Sequence, residues 1–204
     1  MTLDVGCGRN KYPGAIGVDR NPDTVADVIC DLDRVPYPFA ASSFAQIRVT
    51  HVIEHVANVI ATMEELHRLA IPGGRVIIET PHYTDFSSYC DPTHRWHLSS
   101  FSFRYFGERN GGFGYYSRVR FRERRVRLKL LRFWRWLGFE LAVNHSLIFR
   151  RFWEHYLCFL VRGKAILFEL EALKSEPAQA LARPAATGRA GASAAGQTRG
   201  GGGL

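Results

Sequence analysis

Asp4 and Asp19 stand only fifteen positions apart, and that spacing limits the fold more than any other feature of the chain. Residues 2–5, "TLDV", are a short apolar-leaning run that stops at Gly6-Cys7-Gly8, and residues 15–19, "AIGVD", form a second such run. Both have the length and composition of buried strands. A βαβ crossover normally needs at least about 10–12 residues, and "GRNKYPGA" between the two runs is shorter than that. "RNPDTVA", before a third run "ADVIC" at 26–30, is shorter still. The opening strands must therefore be joined by loops, leaving one face of their sheet thinly covered, or covered by a partner or by residues 131–160.

A more usual unit follows. "AQIRVTHV" (45–52) reads as a fourth strand, and the next segment places Val56, Val59, Ile60, Met63, Leu66 and Leu69 on one helical stripe. Pro72-Gly73-Gly74 is expected to end that helix, and "RVIIETP" (75–81) to be a fifth strand. Short buried strands with a helical crossover imply a mainly parallel sheet in an α/β domain. Beyond it, residues 81–97 form a polar, aromatic loop, and residues 99–107 a short helix. Basic and apolar residues nearly alternate over 118–130, the mark of a strand, with a slip near Arg124-Arg125 that predicts a bulge. Residues 131–160 are aromatic-rich and expected to be helical, and 165–173 to be a closing strand. Residues 175–204 have almost nothing to bury and are expected to be disordered, which leaves one domain over 1–174.

The chemistry lies at the strand tips. Glycines at Gly6 and Gly8 let backbone approach a ligand closely because no Cβ intervenes. Asp19 at the next tip can accept both hydroxyls of a ribose, and Asp31 at the third can reach an adenine amine. Glycine, aspartate and aspartate on consecutive tips describe a nucleoside pocket at the carboxyl edge of a parallel sheet. A nicotinamide enzyme would open a helix with G-x-G-x-x-G, whereas Gly8 is followed by Arg9-Asn10-Lys11-Tyr12-Pro13.

The blocks "LDVGCG", "IGVD", "CDLDRVPYPFAASSFAQIRVTHVIEHV" and "PGGRVIIETP" occur in an order and spacing that resemble the class I S-adenosylmethionine-dependent methyltransferases of the type 11 kind, over residues 2–106. The resemblance implies a Rossmann-like α/β sheet, mainly parallel with an antiparallel last strand, here with its first crossover helices shortened or missing. The seventh strand would insert between the fifth and sixth. It implies S-adenosyl-L-methionine as cofactor, with Asp4, Gly6, Cys7, Gly8, Asp19, Arg20, Asp31, Leu32 and His51 as its binding residues. With no first crossover helix, Arg9 or Lys11 is the candidate cation for the cofactor's carboxylate.

"HVIEH" (51–55) spells the H-x-x-E-H of a zinc peptidase. Such a site needs the whole motif in one helix, whereas His51 falls at the end of the fourth strand. In the resemblance the motif is the turn into the following helix, with Glu54 near that helix's N-terminus. No metal is assigned, although His82, Asp91, His94 and His97 are residue types that bind zinc or iron. The expected catalytic base is His94, oriented by Asp91, with His82 as the alternative; the competing reading makes residues 91–94 a self-bonded turn.

The formal net charge of +8 owes much to residues 118–136. Alternate arginines on an edge strand are a common guard against sheet-to-sheet aggregation. The aromatic and basic residues of 118–160 suit a membrane surface, a dimer face or a substrate lid, and nucleic acid is the weaker partner, since no RNA-binding module is visible. Apolar runs are too short to span a bilayer, the first residues lack a signal-peptide layout, and the four scattered cysteines suit reduced thiols; all three favour a cytoplasmic protein, with peripheral membrane contact as an addition. The functional expectation is methylation of an oxygen or nitrogen on a small-molecule or saccharide-type substrate. The alternatives are a non-catalytic partner subunit and an RNA methyltransferase; the N-P-P-Y-type tetrapeptide of the latter's amine-methylating members is replaced by "THVI".

Overall fold

The computed structural model describes residues 1–108 and 115–174. Its strands are β1 (Thr2–Val5), β2 (Ile16–Asp19), β3 (Val28–Ile29), β4 (Phe44–Thr50), β5 (Ala70–Pro81), β6 (Arg120–Leu130) and β7 (Gly163–Leu173). They form one sheet in the order β3-β2-β1-β4-β5-β7-β6. The first five strands run parallel, and β7 lies antiparallel between β5 and β6.

No helix joins β1 to β2 or β2 to β3. Polar contacts hold these loops instead: Lys11 Nζ pairs with Asp27 at 2.8 Å, Asp27 accepts the Gly17 N–H at 2.7 Å, and Val25 donates to the Gly8 carbonyl at 3.0 Å. Helix α1 (Val59–Leu69) is the crossover from β4 to β5. Asn58 caps it by accepting the Ala61 N–H, and Met63, Leu66 and Leu69 are fully buried. The apolar stripe extends upstream to buried Val56, although Val56 precedes the helix.

Pro72-Gly73-Gly74 does not end α1. The helix stops at Leu69 and the chain passes directly into β5. Phe44 pairs with Ala70 and Gln46 already with Arg75, so the three residues fill a bulge inside the strand. Gly73, at φ 72°, supplies the left-handed backbone the bulge requires.

The slip near Arg124 is a bulge between Glu123 and Arg125, as its sequence predicts. The arginines around it are less free than the sequence suggests. Arg122 and Arg124 both face Glu171, Arg125 faces Glu169, and Lys129 meets Glu79. Each exposed pair adds little stability by itself, but together they offset part of the positive charge of the basic run. The 81–97 stretch holds one short helix, α2 (Ser87–Cys90), and residues 131–160 carry α3 (Arg132–Trp136), α4 (Phe139–His145), α5 (Leu147–Phe152) and a π-helical turn at Trp153–Leu157. Asn144 bonds both the N–H and the carbonyl of Leu128, and Arg150 donates to the Val126 carbonyl, so side chains satisfy the outer edge of β6. Val143 and Trp153 join the core. Among the described residues no helix is long and apolar enough to cross a membrane. The expected disordered tail, 175–204, lies outside the described residues.

Candidate functional site

Gly6 turns the chain sharply at the tip of β1, with φ 65° and its N–H donated to the Val18 carbonyl at 2.7 Å. A Cβ there would fall inside the contact radius of Val52 Cγ2. The glycine is thus required twice, for its backbone conformation and for the close approach of the β4 tip. Asp19, buried at the tip of β2, accepts the Gly8 N–H and the Asn21 N–H, both at 2.9 Å. It holds the glycine loop, and a carboxylate still has lone pairs to offer a ligand.

These tips open on a cavity of about 560 Å³, within the roughly 300–1,000 Å³ of small-molecule sites. Six of the nine expected binding residues line it: Gly6, Asp19, Arg20, Asp31, Leu32 and His51. Asp4, Cys7 and Gly8 do not line it. Asp4 is buried and accepts the Tyr12 N–H at 2.7 Å. Burial pushes its carboxyl up, against the pull of that hydrogen bond and of Arg48 and Lys11. Cys7 packs so close to Gly17 that a Cβ there would lie 2.8 Å from the sulfur. Lys11, committed to Asp27, does not reach the cavity, and neither does Arg9. The cations in the wall are Arg20 and Arg95, and the sequence did not single out Arg95 for cofactor binding.

The rest of the wall comes from two segments tied together. Glu54 is not at a helix N-terminus, since α1 begins five residues later. It is a buried carboxylate that accepts the Thr80 hydroxyl at 3.1 Å and lies 3.2 Å from His51 Nδ1. That hydrogen bond raises the His51 pKa above the usual histidine value, against the opposing effect of burial. The Glu54 carbonyl accepts the N–H groups of Arg95 and Trp96, Trp96 Nε1 donates to the Val56 carbonyl at 2.7 Å, and Thr93 Oγ1 meets His55 Nδ1 at 2.9 Å. This lacing brings Pro92, Thr93 and Arg95 against Val52, His55 and Val56.

His51 follows β4 at φ 55° and lies outside any helix, so it shares no helix with His55, and the peptidase pattern is not realised. Ligand atoms of Glu54, His55 and His94 do come within 4.8 Å of one another, though both Glu54 oxygens already accept from Thr80 and His51.

The expected catalytic residues lie outside the cavity wall. Asp91 accepts the N–H and hydroxyl of Thr93, at 2.8 and 2.6 Å, which is the self-bonded turn. His94 is 3.8 Å from Asp91, faces the Ser88 carbonyl through Nδ1, and packs edge-on against His55. His82 is wholly buried between Thr84 and Glu154. His97 bonds Ser88 and stacks on Tyr89. The physical reason is topological: the loop after β5 folds its backbone toward the cavity and its imidazoles into supporting contacts.

Residues 2–128 match a protein family described as methyltransferase domain. The fold is similar to the YcgJ protein of Bacillus subtilis (15% identity, 85% of this chain and 92% of that one, TM-score 0.52). It is also similar to a SAM-dependent methyltransferase of Archaeoglobus fulgidus (16%, 83% and 85%, TM-score 0.53). A third similar structure is the complex of a Haloferax volcanii methyltransferase with its activator Trm112 (15%, 85% and 82%, TM-score 0.50). A search of curated proteins gave no significant match.

Proposed function

The chain belongs to the methyltransferase domain family, and on that premise we propose that it transfers a methyl group from S-adenosyl-L-methionine to an oxygen or nitrogen of a small-molecule or saccharide-type acceptor. One observation carries the reading: the tips of three consecutive parallel strands, at Gly6, Asp19 and Asp31, open on the same cavity. The cofactor, when bound, supplies an activated methyl on a sulfonium. Gly6 gives it backbone at close range, Asp19 accepts from its ribose, and Asp31 reaches its adenine. Val52, Val56 and Leu32 are the apolar part of the wall and keep water from the reacting atoms. Intact pocket acids favour an enzyme over a non-catalytic subunit.

Calorimetry with S-adenosylmethionine and S-adenosylhomocysteine tests this. Asp19→Ala should weaken both by about 10–100-fold, the worth of a charged acceptor serving two hydroxyls. Equal affinities in wild type and variant would remove Asp19 from the site, and no binding of either by the folded wild type would remove the cofactor.

The second part of the proposal is peripheral contact with an anionic membrane from the cytoplasmic side. Trp136 is 80%, Ile148 83% and Phe159 77% exposed, and Arg132, Arg135 and Arg151 belong to the same helical segment. Large apolar side chains so exposed mark an interaction face. Trp136→Ser with Ile148→Ser should weaken binding to anionic vesicles by about a hundredfold or more, since fully burying each side chain is worth about 1.5–3 kcal/mol. Unchanged flotation, with self-association lost instead, would assign the face to a second copy of the chain.

A further inference from the structure

His51 belongs to two cavities. The second, of about 710 Å³, is walled by His51, Glu79 and Ser87 and by four cations, Lys129, Arg132, Arg135 and Lys164. The cations are gathered by topology: β6 runs straight into α3, and Lys164 opens β7 beside them. Lys129 is paired with Glu79 at 2.6 Å. Arg132, Arg135 and Lys164 have no carboxylate partner among the described residues. Three unpaired cations around one concavity repel each other unless an anion joins them. Arginine forks and a lysine point charge are the groups that hold a phosphate dianion.

At the shared wall, His51 presents a defined tautomer. Its Nδ1 faces the buried Glu54 carboxylate, whose other oxygen is fixed by Thr80, so in the neutral ring the proton belongs on Nδ1 and Nε2 keeps a lone pair. A carboxylate behind an imidazole is the arrangement that orients a general base and stabilises its protonated form. The charged groups facing His51 are Glu54, Glu79 and Lys129.

We propose that the second cavity receives the methyl acceptor, that the acceptor carries a phosphate group, and that His51 takes the acceptor's proton. This rests on the methyltransferase reading above and narrows its substrate class. His51 Nε2 takes the proton from the acceptor O–H or N–H as the acceptor's lone pair closes the bond to the methyl carbon. The carbon–sulfur electron pair leaves with sulfur, giving S-adenosylhomocysteine. Glu54 is a positioning residue.

The full chain is titrated calorimetrically with inorganic phosphate, with monomeric dihexanoyl phosphatidate and, separately, with S-adenosylhomocysteine. Arg132→Ala with Arg135→Ala should weaken phosphate by about tenfold or more and leave S-adenosylhomocysteine unchanged. Phosphatidate binding at least about tenfold tighter than phosphate assigns the acceptor to lipid headgroups, and equal affinities to soluble phosphate esters. In an NMR titration, phosphate should raise the His51 midpoint in wild type but not in the double variant, and Glu54→Gln should lower it. Phosphate affinity that is undetectable, or unaffected by the two arginines, overturns the proposal while S-adenosylhomocysteine still binds. An unmoved His51 midpoint removes His51 from it. Failure of S-adenosylhomocysteine alone to bind overturns the premise instead.

Discussion

Gly6→Ala is expected to abolish cofactor binding and to destabilise the fold, and Val52→Ala to restore part of the loss. Two separate effects add at this one position. The backbone lies at φ 65°, where a Cβ costs roughly 1–2 kcal/mol. The same Cβ collides with Val52 Cγ2 on the neighbouring strand tip, and overpacking of that kind typically costs about 1–3 kcal/mol more. Gly8, at φ 53°, has open space where its Cβ would go. Gly8→Ala should therefore show the backbone cost alone. Relief by Val52→Ala should be confined to Gly6→Ala, because only neighbours in contact couple. Denaturation of the three single and two double variants, with S-adenosylhomocysteine calorimetry on each, separates the terms. Equal losses for the two glycines, with no relief from Val52→Ala, would mean that the β4 tip does not press on the loop as described.

That contact illustrates where the sequence was sufficient and where it was not. The missing crossovers and the bulge at Arg124 follow from local signals, residue count and a single slip in alternation, whereas the place of β7 was legible only through the family resemblance. Pro72-Gly73-Gly74 misleads because a helix stop and a strand bulge demand the same residue types; pairing with Phe44 and Gln46, remote in sequence, decides between them. The basic run misleads similarly. Its partners Glu169 and Glu171 are about forty-five residues away, and only the antiparallel register of β6 with β7 brings them opposite.

Within the candidate site, residues brought to the cavity by their strand-tip position were legible, and those whose place depends on side-chain orientation were not. Gly6 and Asp19 announce themselves by strand-tip position. Whether an imidazole faces a cavity depends on which partner holds its other nitrogen. His94 and His51 look alike in sequence, yet one is turned toward the Ser88 carbonyl and the other toward a buried carboxylate at the cavity wall. Glu54 attracts notice for a peptidase motif it does not form, and its use is to fix His51. Arg95 reaches the wall only because two backbone N–H groups, its own and that of Trp96, are tied to the Glu54 carbonyl.

Glu154 is the acid on which the other half of the molecule depends. Its carboxylate accepts the Ser100 N–H at 3.0 Å and the Ser100 hydroxyl, and lies 3.4 Å from His82 Nε2. His82 is wholly buried, and its ring leaves no room for a Cβ at Gly163. Glu154→Ala strands a buried imidazole and a buried N–H together, so a loss of about 3–5 kcal/mol is expected in urea unfolding. Glu154→Gln keeps an acceptor for Ser100 and should lose less. The two also differ from wild type in their pH dependence. Burial raises the Glu154 pKa, but hydrogen bonds from His82 and Ser100 outweigh it and hold the carboxyl below its ordinary value. A depressed carboxyl contributes stability that is fully present above its unfolded value and is lost as pH falls through the folded one. Wild type should therefore lose this contribution on acidification, whereas Glu154→Gln, with no proton to take up there, should show a flatter acid limb. Parallel acid limbs in the two proteins would show that Glu154 is not held ionised by His82 and Ser100. The cofactor cavity offers an internal control, because Glu154 does not line it: S-adenosylhomocysteine affinity at neutral pH should survive Glu154→Gln even as the acid limb changes.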